Sequence, residues 1–205
     1  MLILFQGDSV TDSGRSREVG GSLGNGYARF IEATLGFEEP GKYTFINRGI
    51  DGSRVTDIYA RIKSDIINIK PDVLSILIGV NDVWHEFSES PNGVETEKYF
   101  KIYDMLIAET KEALPNVKIM ILEPFSLKGR ATEENWEAFS AEVKAKGLMA
   151  RKIAEKYNLP FVKLQDGFNE LCKRQEASYW LFDGVHPTAK GHEFIKNEWL
   201  KAFER

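Results

Sequence analysis

Cysteine is nearly absent from this chain: Cys172 is the single one in 205 residues. One cysteine cannot close an intramolecular disulfide, so stability has to come from packing, and such usage suits a reducing compartment. A basic excess is also missing. Lys and Arg number 27 against 31 Asp and Glu, a formal charge of −4, so nothing here is built to neutralise a polyanion and no nucleic-acid partner is expected. No window approaches the roughly 18 consecutive apolar residues that span a bilayer. Met1 leads directly into a short apolar run, with no basic stretch and long apolar stretch resembling a signal peptide. The expectation is a cytoplasmic protein with no membrane partner. Repeats, low-complexity tracts and linkers are lacking too, so residues 1–205 read as one domain.

What is present is a globular mixture, 42% hydrophobic and 28% charged, with enough apolar material for a sizeable core. Five short apolar runs stand out, at 2–5, 44–46, 73–78, 117–122 and 161–164. They are rich in Ile, Val, Leu and Phe and do not alternate with polar residues, as expected of parallel strands covered on both faces. Helical spacing fills the intervals. Tyr27, Ala28, Ile31 and Leu35 mark one helix, and Val55, Ile58, Ile62 and Ile66 a second. Tyr99, Tyr103, Leu106 and Ile107 mark a third, the stretch from about 133 to 157 a fourth, and 189–203 a closing helix with Thr188 as its N-cap. Strands alternating with helices predict an α/β fold, a flavodoxin-like three-layer α/β/α sandwich on a five-stranded parallel sheet. Trp199, Leu200 and Phe203 near the end suit either core or a subunit interface, which leaves a homo-oligomer open.

Chemistry is expected where the strands end. The first run stops at Phe5, and Gly7-Asp8-Ser9 follows at once. A serine hydroxyl is a poor nucleophile until a base takes its proton, and a strand-to-helix turn would expose it. A serine that only caps a short helix is the bland alternative. Gly20-Gly21-Ser22-Leu23-Gly24 matches the letters of a nucleophile elbow, yet polar residues 13–18 precede it and no buried strand feeds it. Ser22 is therefore set aside. The matching base comes from three histidines. His192 lies inside the closing helix and reads as structural. His85, beside Trp84, reads as pocket rim or surface. His186 sits in a loop before Pro187, three residues after Asp183, and an acid at that spacing can hold the imidazole in the tautomer a general base needs.

An ester substrate also needs donors for its developing oxyanion. One source is a glycine N–H in the segment 47–52, after the second strand. The other is the amide of Asn81 in Gly79-Val80-Asn81-Asp82, after the third. Taken alone, either segment is equally explained by turn chemistry.

Gly7-Asp8-Ser9, Gly52, Gly79-Val80-Asn81-Asp82 and Asp183-Gly184-Val185-His186 together, in this order, resemble the four sequence blocks of the SGNH hydrolases, or GDSL esterases and lipases. The resemblance implies Ser9 as nucleophile, His186 as general base and acid, and Asp183 as its orienting partner. It implies an oxyanion hole made of Gly52 N–H, the Asn81 amide and Ser9 N–H. Val10 stands where the family often has Leu or Ile, and Asp51 adds a charge near the site. The runs 78–84 and 180–187, with the helix at 133–145, are similar to the family's intracellular acetylxylan esterases. That implies an acetylated sugar as partner, with Trp84, Trp180 and Asp8 as substrate-binding residues, though each tryptophan could equally be packing. No cofactor is implied, and no Cys/His cluster of zinc-site spacing is present. Two other readings stay open: a lysophospholipase or thioesterase for longer acyl chains, and a non-catalytic phosphate- or nucleotide-binding module.

Overall fold

The structure, a computed structural model, describes residues 1–203. Five parallel strands, β1 (Leu2–Gly7), β2 (Thr44–Asn47), β3 (Val73–Leu77), β4 (Lys118–Leu122) and β5 (Phe161–Val162), form one sheet in the order β2-β1-β3-β4-β5. The chain leaves β1 in one direction to make β2 and returns on the other side to make β3. A crevice opens at such a switch point, above the carboxyl ends of β1 and β3. Both strands deliver the segments singled out above: Gly7 pairs with Leu77 in the last rung, immediately before Asp8-Ser9 and Gly79–Asn81.

Helices cover both faces, as the unalternating strands require. On one side lie α2 (Tyr27–Glu38), α7 (Gln165–Leu171), α8 (Ala177–Trp180) and α9 (Ala189–Phe203), packed on Ile3, Phe5, Met120 and Leu122. On the other lie α3 (Val55–Ala60), α5 (Thr96–Ala113) and α6 (Trp136–Tyr157), packed on Leu4, Leu74, Ile119 and Ile121. Odd and even positions of one strand thus feed two separate cores. Two further short helices, α1 (Ser9–Asp12) and α4 (Val80–Trp84), start at the strand ends that border the crevice. Among the described residues no helix is long and apolar enough to cross a membrane.

The five expected strands and five expected helical regions are found, with differences at their ends. The second helical region is broken: after α3 the chain makes a wider turn over Lys63–Ile67, where Asn68 N–H donates to Lys63 O five residues back. That widened turn lets Ile58, Ile62 and Ile66, spaced by four, all bury themselves against the same side. The fourth helix begins at Trp136 rather than 133, because Thr132 and Glu133 N–H both donate to Gly129 O in a preceding turn. Helices α4, α7 and α8 run only four to seven residues, too few to show a period in the sequence.

Trp199 is core. It is fully buried, its Nε1–H donates to Ser75 Oγ at 3.0 Å, and its ring packs on Phe5 and Phe203. Trp199→Ala should lower unfolding free energy by about 3–5 kcal/mol, the usual range for emptying an aromatic site. Urea denaturation checks this, and a loss below about 1 kcal/mol would mean that the α9 face is not packed as described.

Candidate active site

The turn after β1 is fixed by close approach. A Cβ on Gly7 would collide with the Thr11 side chain and the Leu77 carbonyl, so only glycine lets β1, α1 and β3 meet there. Asp8 then caps α1, its Oδ1 accepting Val10 N–H at 3.0 Å and its carbonyl accepting Thr11 and Asp12 N–H. With Asp8 turned inward, Ser9 is the residue left facing the crevice. This corrects Asp8 as a substrate-binding residue: it is 1% exposed and lies among Val10, Leu77, Ile78 and Pro124 beneath the turn.

Ser9 Oγ is 3.0 Å from His186 Nε2, and His186 Nδ1 is 2.8 Å from Asp183 Oδ2. The second carboxylate oxygen of Asp183 accepts the backbone N–H groups of Val185 and His186 at 3.0 and 2.9 Å. The loop carrying them is pinned at its base by the Leu181–Pro187 bridge and by Phe182 N–H donating to His186 O. Its Gly184 has φ +102, and a Cβ there would lie 2.6 Å from Leu127 O, so the loop seats directly on the segment after β4. Burial pushes the Asp183 carboxyl up, but the three N–H donors outweigh it and bring the pKa down to about 2. The Asp183 hydrogen bond raises His186 above the usual histidine value, against the opposing effect of burial.

Gly52, with φ +73, and Asn81 open onto the same cleft as Ser9 and His186, a hollow of about 380 Å³ that Asp51, Trp84, His85 and Ser88 complete. Residues 81 and 82 clamp the Gly52 segment from one side. Asn81 Nδ2–H donates to Ser53 O at 3.1 Å, and both Asp82 oxygens lie 3.1–3.2 Å from Val55 N–H, the first residue of α3. Burial pushes Asp82 up to about 7, against the Val55 N–H and the buried Lys146 ammonium. Sequence reasoning quoted Asp82 without giving it a role; a buried acid directly after Asn81 was the available signal. A second hollow of about 270 Å³ shares Ser9, Asp51 and His186 and continues to Ser13, Gly14 and His192. His192 is structural there: its Nδ1 accepts Tyr27 N–H at 3.2 Å, and burial lowers its pKa to about 4.

Two other residues lie elsewhere. Trp180 is 8% exposed in the core between α8 and α9, its Nε1–H donating to Gln175 O, and it borders neither hollow at Ser9. This corrects Trp180 as a sugar-stacking residue: as the last residue of the short helix α8 it packs into the core that α9 covers. Trp84 does line the cleft, its ring 5.7 Å from that of His186. Ser22 sits in the loop before α2, its Oγ accepting Ser16 N–H, with no histidine bonded to it. Among the described residues no three His, Cys, Asp or Glu side chains converge as metal ligands.

A serine, a histidine and an aspartate in one hydrogen-bonded line, at the switch point of a parallel sheet and beside a side-chain amide, are the geometry of a serine hydrolase. The chain belongs to the GDSL-like lipase/acylhydrolase family, which matches residues 5–194. It is 35% identical over 210 residues to an acetylxylan esterase of Geobacillus stearothermophilus, covering 97% of this chain and 92% of that one. The crystal structure of Axe2, an acetylxylan esterase from the same organism, superposes with a TM-score of 0.89 at 33% identity, covering 100% of this chain and 94% of that one. A GDSL-like protein of Parabacteroides merdae superposes with a TM-score of 0.93 at 38% identity, covering 99% and 95%. The protein is accordingly a carboxylic ester hydrolase of the GDSL type, similar to acetylxylan esterases.

Two outcomes test the electrostatics and the clamp. His186 accepts a proton only when neutral, so kcat/KM should fall as pH drops through its raised pKa, with the acid limb above 6.5. In Asp183→Asn that limb should move down and activity fall by about 10⁴-fold; an unmoved limb in an active variant would contradict the pairing. Asp82→Ala, which strips Val55 N–H of its acceptor, should cost up to about 10²-fold in kcat if the Gly52 segment loosens. Asp82→Asn keeps an acceptor and should recover most of it, whereas equal losses in both would assign the effect to charge.

Proposed function

We propose that the protein hydrolyses short-chain carboxylic esters, and among them O-acetyl groups on carbohydrates such as xylo-oligosaccharides, through a Ser9–His186–Asp183 acyl-enzyme mechanism. The observation that carries the mechanism is the unbroken line from Ser9 Oγ through His186 to an Asp183 held ionised by three N–H donors. Ser9 Oγ attacks the ester carbonyl as His186 Nε2 takes its proton. Negative charge on the carbonyl oxygen is met by the Asn81 amide and the Gly52 and Ser9 N–H groups. His186 then protonates the departing alcohol, and the same imidazole activates a water that releases the acid and restores Ser9. Two crystal structures of the Geobacillus relative are of catalytic mutants, one at a serine and one at an aspartate, which supports those two roles.

Small acyl groups are favoured by the walls. The two hollows at Ser9 are lined mainly by Ser, Asp, Gly, Asn and His, with Trp84 the one large apolar surface in the first. The apolar recess beneath Ser9, between Val10, Leu77 and Phe125, holds about 10 Å³, scarcely one water, and cannot receive an alkyl chain. Acetate fits such a cleft; a fatty acyl chain would lie in water. Trp84 offers a face to a sugar ring. The single Cys172 and the charge balance agree with work in a reducing cytoplasm as one catalytic unit on small-molecule substrates.

A p-nitrophenyl ester series from acetate to palmitate should give activity confined to the shortest acids, followed by acetate release from acetylated xylo-oligosaccharides. A maximum at octanoate or longer would replace the acetyl reading with a lipid or thioester one. Ser9→Ala should reduce kcat by about 10⁶-fold with the fold intact, and Asn81→Ala by roughly 10²- to 10³-fold. Near-wild-type turnover in Ser9→Ala would overturn the assignment.

A further inference from the structure

One wall of the Ser9 cleft takes no part in the acyl-transfer steps. His85 opens a short turn, His85–Phe87, directly after α4, and its half-buried ring borders the cleft beside Gly52. Its Nε2 lies 3.8 Å from the point that a Cβ on Gly52 would occupy. From behind, Nδ1 is 3.1 Å from Asn92 Oδ1. An amide oxygen only accepts, so Nδ1 carries the proton and a neutral ring presents a lone pair at Nε2. Asn92 is itself held: its N–H donates to His85 O at 3.2 Å, and its carbonyl accepts from the Arg54 guanidinium, which also binds Asp57. Of the two hydroxyls lining the cleft, Ser9 pairs with His186 Nε2, and the Ser88 hydroxyl lies 2.9 Å from the backbone carbonyls of both His85 and Ser90. Among the described residues nothing donates to His85 Nε2.

We infer that His85 is a specificity residue, accepting through Nε2 a hydrogen bond from a free hydroxyl on the alcohol half of the ester. The inference rests on the esterase reading above. It assigns the hydroxyl to the alcohol half because an acetyl group has no donor to offer. Gly52 neighbours the carbonyl oxygen in that reading, so a ring beside Gly52 meets what flanks the scissile bond. A polyhydroxylated alcohol fills the acceptor, whereas an aryl or simple alkyl ester leaves it unpaired. Asn92 is the positioning residue that fixes the tautomer.

The test compares kcat/KM on two acetyl esters, p-nitrophenyl acetate and a mono-O-acetyl methyl xylopyranoside with free hydroxyls. His85→Phe, which keeps a flat ring and removes the acceptor, should lower the sugar-ester value roughly tenfold more than the aryl-ester value. Asn92→Leu, which frees the tautomer, should shift the ratio in the same direction by less. Turnover of the aryl ester by each variant reports that the site is folded. A sugar-to-aryl ratio unchanged within about twofold in His85→Phe would overturn the role of His85 and leave the esterase reading standing. Wild-type protein inert toward both esters would overturn the esterase reading, and this inference with it.

Discussion

Everything at the site depends on a close approach at Gly7. There β1 runs so near the Leu77 carbonyl and Thr11 that no side chain fits, and the chain has to turn. The turn sends Asp8 inward to cap a four-residue helix and leaves Ser9 facing the crevice. Because Gly7 and Leu77 also form the last rung between β1 and β3, the same contact fixes the height of Asn81, four residues after Leu77 in the first turn of α4. Gly49 repeats the device on the β2 side, where a Cβ would strike the Thr11–Asp12 backbone. Strand ends thus bring Ser9 and the proposed oxyanion donors Gly52 and Asn81 to one cleft without any long-range loop having to find them.

Three aspartates near the site show how burial and hydrogen bonding together select which acid stays charged. Asp8 and Asp82 are both buried and both pushed up to about 7; each side chain accepts from a single neighbouring N–H, Val10 or Val55. Asp183, less deeply buried, accepts three and is brought down to about 2. Only the last can face an imidazolium as a full negative charge over the whole working pH range. Asp8 and Asp82 instead hold backbone: one the turn of Ser9, the other the start of the helix that follows Gly52.

Much of this was legible in the sequence because the signals are local. The five strands show as short unalternating runs, the long helices as repeats of Tyr, Ile and Leu, Ser9 as the serine two residues after Gly7 at a strand end, and Asp183 and His186 as residues next to glycine or proline in a loop. What was not legible depends on three-dimensional company. Trp180 and Trp84 look alike in sequence, each close to a motif, yet one packs into the sheet-side core and the other lines the cleft. Asp8 stands beside Ser9 in the chain but faces the opposite way, because its carboxylate satisfies Val10 N–H. The clamp of Asp82 on Val55 spans 27 residues, and the His85–Asn92 pair acquires meaning only beside Gly52. Helices α4, α7 and α8 were too short to carry a period, and the widened turn after α3 preserves the very spacing that made the region read as one helix.

The most direct test of the account is covalent. The protein is treated with a fluorophosphonate, digested, and the modified peptide sequenced by mass spectrometry, with His186→Asn as the control. The account predicts stoichiometric labelling at Ser9 in the wild type and very slow labelling in the control, since the hydroxyl is then without its base. Modification at Ser22 or another hydroxyl, or equal labelling in both proteins, would contradict the claim that Ser9 is the activated nucleophile.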